Sequence, residues 1–289
     1  MIPGTGHGIR NKCIYPIPAP DVNMHGRCLC TMILALLLVL TGCVSTPQEK
    51  PAQPVAPAGP EARPHYIVGA DGDFPPFTMA DQNGTISGFD ADAARWVAEH
   101  EGFDITFVAM PWDTIVPSLE SRRIDIIWSG MTITDTRRER VNFSEPYFRV
   151  SPAFAVRNGS PFTMQDLYAG RLHVGAQAGS TGADWITDNL VKPGRMPGAN
   201  LTLYPDISSL SDRVADGSVD ISIIQGPSQQ RVTASRSLVI IGSAPHQELY
   251  AVAVRKDDPE LLARINEGLS RLKKDPYWQE LQKKYGLTE

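Results

Sequence analysis

The run Ile124 to Tyr147, IDIIWSGMTITDTRRERVNFSEPY, decides how the rest of the chain is read. An apolar strand, Ile124 to Trp128, breaks at Ser129-Gly130, passes Thr132, Thr134 and Asp135, and enters an Arg-rich helical turn, Arg137 to Arg140. Strand, small polar turn and helix start in that order make an anion site. The N-terminus of a helix leaves backbone N–H groups unsatisfied and carries partial positive charge, so a carboxylate there is stabilised. Arg137 stands where its planar fork would grip the same carboxylate in a charge-assisted pair, with Ser129 and Thr132 adding hydroxyl donors. The plainer alternative is that Thr134 or Asp135 caps a helix and Arg137 lies in solvent.

Composition narrows the class. The 289 residues suffice for one large domain or two lobes with their own cores, and 42% hydrophobic with 20% charged residues is a globular balance. The formal charge of -5 leaves no basic stripe for phosphates, which argues against a nucleic-acid partner. All four cysteines, Cys13, Cys28, Cys30 and Cys43, precede residue 44, so the body has neither disulfide nor thiolate metal site. No two of the six histidines stand at ligand spacing, and neither metal nor cofactor is expected.

Outward from the opening run, the same strand-to-loop logic recurs. Tyr66-Ile67-Val68-Gly69 is a short strand, and Asp71-Gly72-Asp73-Phe74-Pro75-Pro76-Phe77 after it is a loop, because two prolines and a glycine forbid regular structure. In open α/β sheets ligands bind at that carboxyl edge. Core packing is the plain reading of both phenylalanines and suits Phe77 better than Phe74. Asn83-Gly84 marks a turn, Ala91 to Glu101 a helix, and Ile105 to Val108 a strand; Pro111 in the first turn of the next helix places Trp112 at its mouth. Beyond Tyr147 the pattern alternates: strand Arg171 to Gly175, helix Thr181 to Leu190, strand Asn200 to Leu203, helix Ile207 to Asp216, strand Val219 to Ile224, helix Pro227 to Ala234. Such alternation implies a parallel-type sheet covered on both faces. Gln177-Ala178-Gly179-Ser180-Thr181-Gly182 is a second strand-to-helix turn that lets backbone approach a ligand. Two helical segments from Asp257 to Leu287 read as core.

The opening run, VGADGDFPPFTMADQNGTISGFDADAARWVA before it and VGAQAGSTGADW after it resemble the polar amino acid family of periplasmic solute-binding proteins that serve ABC importers. The resemblance extends from about Tyr66 to the C-terminus. It implies an α/β, two-lobe periplasmic-binding-protein (type II) fold, each lobe a mainly parallel sheet flanked by helices, with Ser151 to Arg157 and Glu248 to Arg255 as crossing hinge strands. Lobe 1 would run over 65–153 and resume at 250–289, with lobe 2 at 154–249. The implied ligand-binding set is Asp71, Asp73, Phe74, Trp112, Ser129, Gly130, Thr132, Arg137, Gln177, Ser180, Thr181 and Gln225. Asp71 would meet the ligand side chain, Trp112 would stack on it, and Ser180 and Thr181 would face Arg137 across the cleft around one carboxylate. Gripped from both lobes, that carboxylate turns binding into closure.

The resemblance also implies a receptor, not an enzyme, that delivers a small polar carboxylate, an amino acid or close relative, to a permease as a monomer. The alternative is a cyclohexadienyl dehydratase-like enzyme on the same fold, which needs a tuned general acid; Asp71 and Asp73 are the acids near the cleft. One departure stands out. Where the family carries the Asp that pairs with the ligand's α-ammonium, this chain has Gln225. An ammonium desolvated without a counter-ion costs about 3–5 kcal/mol. Either another acid, Asp71, Asp73 or Glu248, takes over, or the ligand has no ordinary α-ammonium. Trp128, where aliphatics are usual, either narrows the pocket or fills the core.

The N-terminal part reads as an address. Thr31 to Leu40, TMILALLLVL, has the length of a signal h-region and is too short to span a bilayer. It ends in Leu40-Thr41-Gly42-Cys43, which resembles the bacterial lipoprotein box, so 1–42 is expected to be a cleaved leader, with translation starting at Met24, and Cys43 to be acylated. Residues 43–64, rich in Pro and Ala, form an extended tether. The expected location is the periplasmic or cell-surface side of a bacterial membrane, held by the lipid alone.

Overall fold

A computed structural model of the chain describes residues 62–287. The expected leader, the lipidated Cys43 and the tether up to residue 61 lie outside the described residues. The tether's last residues already belong to the body: Arg63 donates to the carbonyls of Ala98 and Glu99 at the end of a helix, and Asp104 N–H donates to Pro64.

Two five-stranded sheets organise the described residues. In the first, His65–Ala70 lies between Asp104–Ala109 and Ile126–Ile127, parallel to both; Ala253–Arg255 joins Ile126–Ile127 antiparallel, and Val141–Phe143 pairs antiparallel with Ala253–Arg255 in turn. In the second, Val174–Gln177 lies between Leu201–Tyr204 and Ile221–Gln225, again parallel; Pro152–Arg157 joins Ile221–Gln225 antiparallel, and Leu238–Ser243 pairs antiparallel with Pro152–Arg157 in turn. The two-lobe α/β expectation thus holds, and each sheet is mixed: four strands run one way and one, Ala253–Arg255 or Pro152–Arg157, runs against them. Ile221–Gln225 is buried along its whole length, which suits a strand covered on both faces. Ile207, Leu210, Val214 and Val232 cover one side of the second sheet, and Leu167, Ile186 and Leu190 the other.

The lobes are joined by a short antiparallel pair, Phe148–Val150 with Glu248–Tyr250. The crossing therefore falls just before the first segment expected for it, since Pro152–Arg157 already belongs to the second sheet. In the other segment Glu248–Tyr250 crosses and Ala253–Arg255 has entered the first sheet. Helices Phe89–His100, Pro259–Leu272 and Pro276–Tyr285 pack together on the first lobe, where Phe77, Phe89, Phe148 and Tyr250 form an aromatic cluster with ring centroids 5.2–6.5 Å apart. Trp128 joins that core, fully buried and 6.3 Å from the ring of Tyr147, so it fills the interior and narrows no pocket.

Candidate functional site

The parallel strands of both lobes end at one place. Their carboxyl ends and the loops that follow form a pocket lined by eleven of the twelve residues expected to bind ligand. From the first lobe come Asp71 and Phe74 after strand His65–Ala70, Trp112 at the start of a helical turn, and Ser129, Gly130, Thr132 and Arg137 after Ile126–Ile127. Gln177 and Gln225 stand last in their strands on the second lobe, and Ser180 and Thr181 start helix Thr181–Ile186.

Arg137 is held by both lobes. Its Nη1 donates to the carbonyl of Thr132 at 2.8 Å and its Nη2 to that of Gly179, across the cleft, at 3.0 Å. The guanidinium lies 5.4 Å over the Trp112 ring, and Trp112 Nε1 donates to the same Gly179 carbonyl at 3.1 Å. Two of five guanidinium N–H groups are spent on carbonyls, which leaves donors for a carboxylate. Burial lowers its pKa, opposed by the charges of Glu248 and Asp184. Half of the plainer alternative holds: Thr134 does cap helix Asp135–Arg140, accepting from Arg137 N–H at 3.1 Å, but the side chain of Arg137 lines the pocket instead of lying in solvent.

Asp71 is the pocket's carboxylate, 5% exposed. One oxygen accepts from Asp73 N–H at 2.9 Å, the other from Gln177 Nε2 of the second lobe at 2.7 Å. Burial outweighs these bonds and pushes its pKa up to about 6. The backbone N–H of Asp71 donates to Ser129 Oγ at 3.0 Å, and that hydroxyl shares a 2.7 Å bond with Thr78.

The polar neighbours are less free than expected. Thr132 gives its hydroxyl proton to Glu248 at 2.8 Å, so it is not a spare donor for a ligand. Ser180 caps its helix, accepting from Ala183 N–H at 3.2 Å, and Thr181 accepts from Gln225 Nε2 at 3.0 Å. Asp73 is the one expected residue that leaves the pocket. Its carboxylate bonds Ser208 of the other lobe, from N–H at 2.7 Å and Oγ at 2.8 Å, because the turn at Gly72 aims it at the start of helix Ile207–Asp216.

Gly130 explains the break after the strand. Its φ is +54°, and a Cβ there would lie 2.4 Å from the Phe74 ring. Its N–H donates to Asp90 at 2.6 Å, and Tyr147 Oη donates to the same oxygen at 2.7 Å. Burial pushes Asp90 up to about 7. This buried prop under the pocket floor was missed from sequence, as an acid in the first turn of a helix ordinarily reads as a surface dipole partner.

A family model described as bacterial extracellular solute-binding proteins, family 3, matches residues 66–288. The chain belongs to that family. Its relatives include the probable histidine-binding protein of Neisseria gonorrhoeae, 29% identical over 80% of this chain and 87% of that one. An ancestral arginine-binding protein bound to arginine superposes with a TM-score of 0.71 at 32% identity, covering 77% of this chain and 98% of that one. An ancestral amino acid-binding protein described as a precursor of cyclohexadienyl dehydratase follows at 0.69 and 30% identity, over 76% and 95% of the two chains. This solute-binding protein therefore has the periplasmic-binding-protein type II fold, and the relatives named are binders of amino acids, the last included. Glu248, one of the acids expected to stand in for the missing Asp, lies behind Thr132 and outside the pocket lining.

Proposed function

We propose that this protein captures an amino acid or closely related small carboxylate between its lobes and hands it to an ABC importer, working as a lipid-anchored monomer outside the cytoplasmic membrane. The observation that carries the reading is Arg137. It is a guanidinium with unspent donors at the floor of a two-lobed pocket, facing Ser180 and Thr181, where a carboxylate would bridge the lobes. Binding that bridges lobes favours the closed arrangement by the difference in affinity between the two states. The anchoring part of the proposal rests on Leu40-Thr41-Gly42-Cys43. Its test is metabolic labelling with a fatty acid, which Cys43→Ala should abolish.

The binding test is a thermal-shift panel of amino acids, amines and dicarboxylates. A ligand at a hundred times its Kd adds about 2.7 kcal/mol, which raises the melting temperature by roughly 5–10 °C. Arg137→Ala should remove the shift while the unliganded protein still melts cooperatively. Normal binding by that variant would put the carboxylate elsewhere.

A second reading has one observation in its favour. Asp71, with its carboxyl raised to about 6, is a buried acid able to protonate a leaving group, as a prephenate or arogenate dehydratase requires. Incubation with either compound and detection of the aromatic product would establish it; no turnover leaves the receptor.

A further inference from the structure

The charges of the pocket can be counted. Among its lining residues Arg137 is the sole cation and Asp71 the sole anion, and the rest are neutral. Gln225, whose amide faces the same space, donates to Thr181 and brings no charge. The other acids of the region are engaged or walled off. Asp73 is bound to Ser208. Glu248 accepts from Thr132 and, with Asp184, lines a neighbouring groove; Thr132 and Thr181 line both spaces and form the wall between them. Those two acids act on the Arg137 charge from behind.

A ligand enclosed here meets one counter-ion for a carboxylate and one for a cation. A cation taken out of water without a partner loses roughly a hundred- to a few thousandfold in affinity. We propose that the pocket selects ligands with one carboxylate and a single cationic group paired to Asp71, and rejects amino acids whose side chain adds a second cation. This deepens the receptor reading and rests on it. It also sets the chain apart from the arginine-bound ancestral protein it superposes on. Gln225 is the residue that enforces the rule, since it occupies the corner where a second carboxylate would stand.

The test uses matched pairs differing by one cation at nearly constant size: citrulline with arginine, and homoserine with 2,4-diaminobutyrate, titrated calorimetrically into the full-length protein. The neutral-side-chain member of a pair should bind at least tenfold more tightly. Gln225→Glu keeps the shape and adds a carboxylate, so it should move the ratio toward the dibasic member by tenfold or more; its melting temperature and circular dichroism report that it is folded. Dibasic ligands binding as tightly as their partners to the unaltered protein, or a ratio that Gln225→Glu leaves unmoved, would overturn the charge rule while leaving a receptor. Binding of a carboxylate with no cation in preference to all of these would overturn it too. If no member of either class binds, the receptor reading itself falls and carries the rule with it.

Discussion

Asp71 and Asp73 stand two residues apart in one loop, both acidic and both at the cleft, yet they do different work. Asp71 turns inward, buried between Gln177 and its own Asx-type turn to Asp73 N–H, and becomes the pocket's one negative charge. Asp73 turns outward and spans the cleft to Ser208 at the positive end of helix Ile207–Asp216. Both bind the opposite lobe, but one contact lies where a ligand would sit and the other does not. The difference teaches that a carboxylate at this mouth can act on a ligand directly or only through closure, and that the partner waiting on the other lobe decides which.

The largest effect that separates the two should come from Asp71→Asn. Removing the sole counter-ion of an enclosed cation costs about 3–5 kcal/mol, so a cation-bearing ligand should bind roughly a hundred- to a few thousandfold more weakly. A carboxylate without a cation should be little affected. Equal losses for both ligand types, measured by calorimetry, would make Asp71 a closure contact like Asp73 and erase the contrast.

Titration sharpens the same contrast through opposite signs. Burial holds the Asp71 carboxyl at about 6 and Asp90 at about 7, both above the ordinary carboxylate value. A raised folded pKa means the folded protein binds the proton better than the unfolded chain. The stability from these groups is therefore full below about pH 4 and is lost as pH rises through 6 to 7, on the order of a few kcal/mol for each. The ligand-free melting temperature should thus gain from these two groups as pH falls from 7.5 to 5, superimposed on losses from paired surface carboxylates. Ligand affinity should run the other way, falling over the same interval because a protonated Asp71 has no charge to offer. In Asp71→Asn the affinity slope should flatten. A slope that persists in that variant would assign the titration to another group.

Much of this architecture was legible in the sequence where local chemistry and tertiary role agree. Ile207 to Asp216 was bounded correctly because Asp206 caps its start and Gly217 takes the left-handed conformation after its end. The glycine turns at Gly130 and Gly179 mark the two loop edges that meet at the pocket. What escaped detection depended on partners far along the chain. Asp90 meets Gly130 forty residues later and Tyr147 beyond it, so nothing local separates it from an ordinary surface acid. Thr132 reads locally as a donor to ligand, but its hydroxyl donates to Glu248, 116 residues on. Strand Leu238–Ser243 went unread because its apolar run Leu238 to Ile241 follows a helix with only a short turn between. The contrast between Asp71 and Asp73 belongs to the same group, because no pattern within DGDF reveals that the second acid will face Ser208.

The smallest effect, and the one that isolates closure, is that of Asp73→Asn. The variant keeps the side chain's shape and removes the charge that faces Ser208 N–H and Oγ; with the site half-buried, about 1 kcal/mol is expected, or roughly fivefold. Because the Asp73 carboxylate is bound to Ser208, outside the pocket lining, and the variant leaves the N–H bond to Asp71 in place, that factor should be nearly the same for every ligand. Its size measures where the lobes rest without ligand. If the open arrangement predominates, the whole factor appears in the apparent Kd; if the closed one does, most of it is absorbed by the unliganded equilibrium and affinity scarcely changes. Small-angle scattering tells these apart, since in the second case the unliganded variant should be measurably more extended than the parent. Ser208→Ala removes only the hydroxyl donor and leaves the backbone N–H, so it should show a fraction of the same uniform loss. A loss that varies between ligands would place Asp73 against the ligand after all, on a par with Asp71.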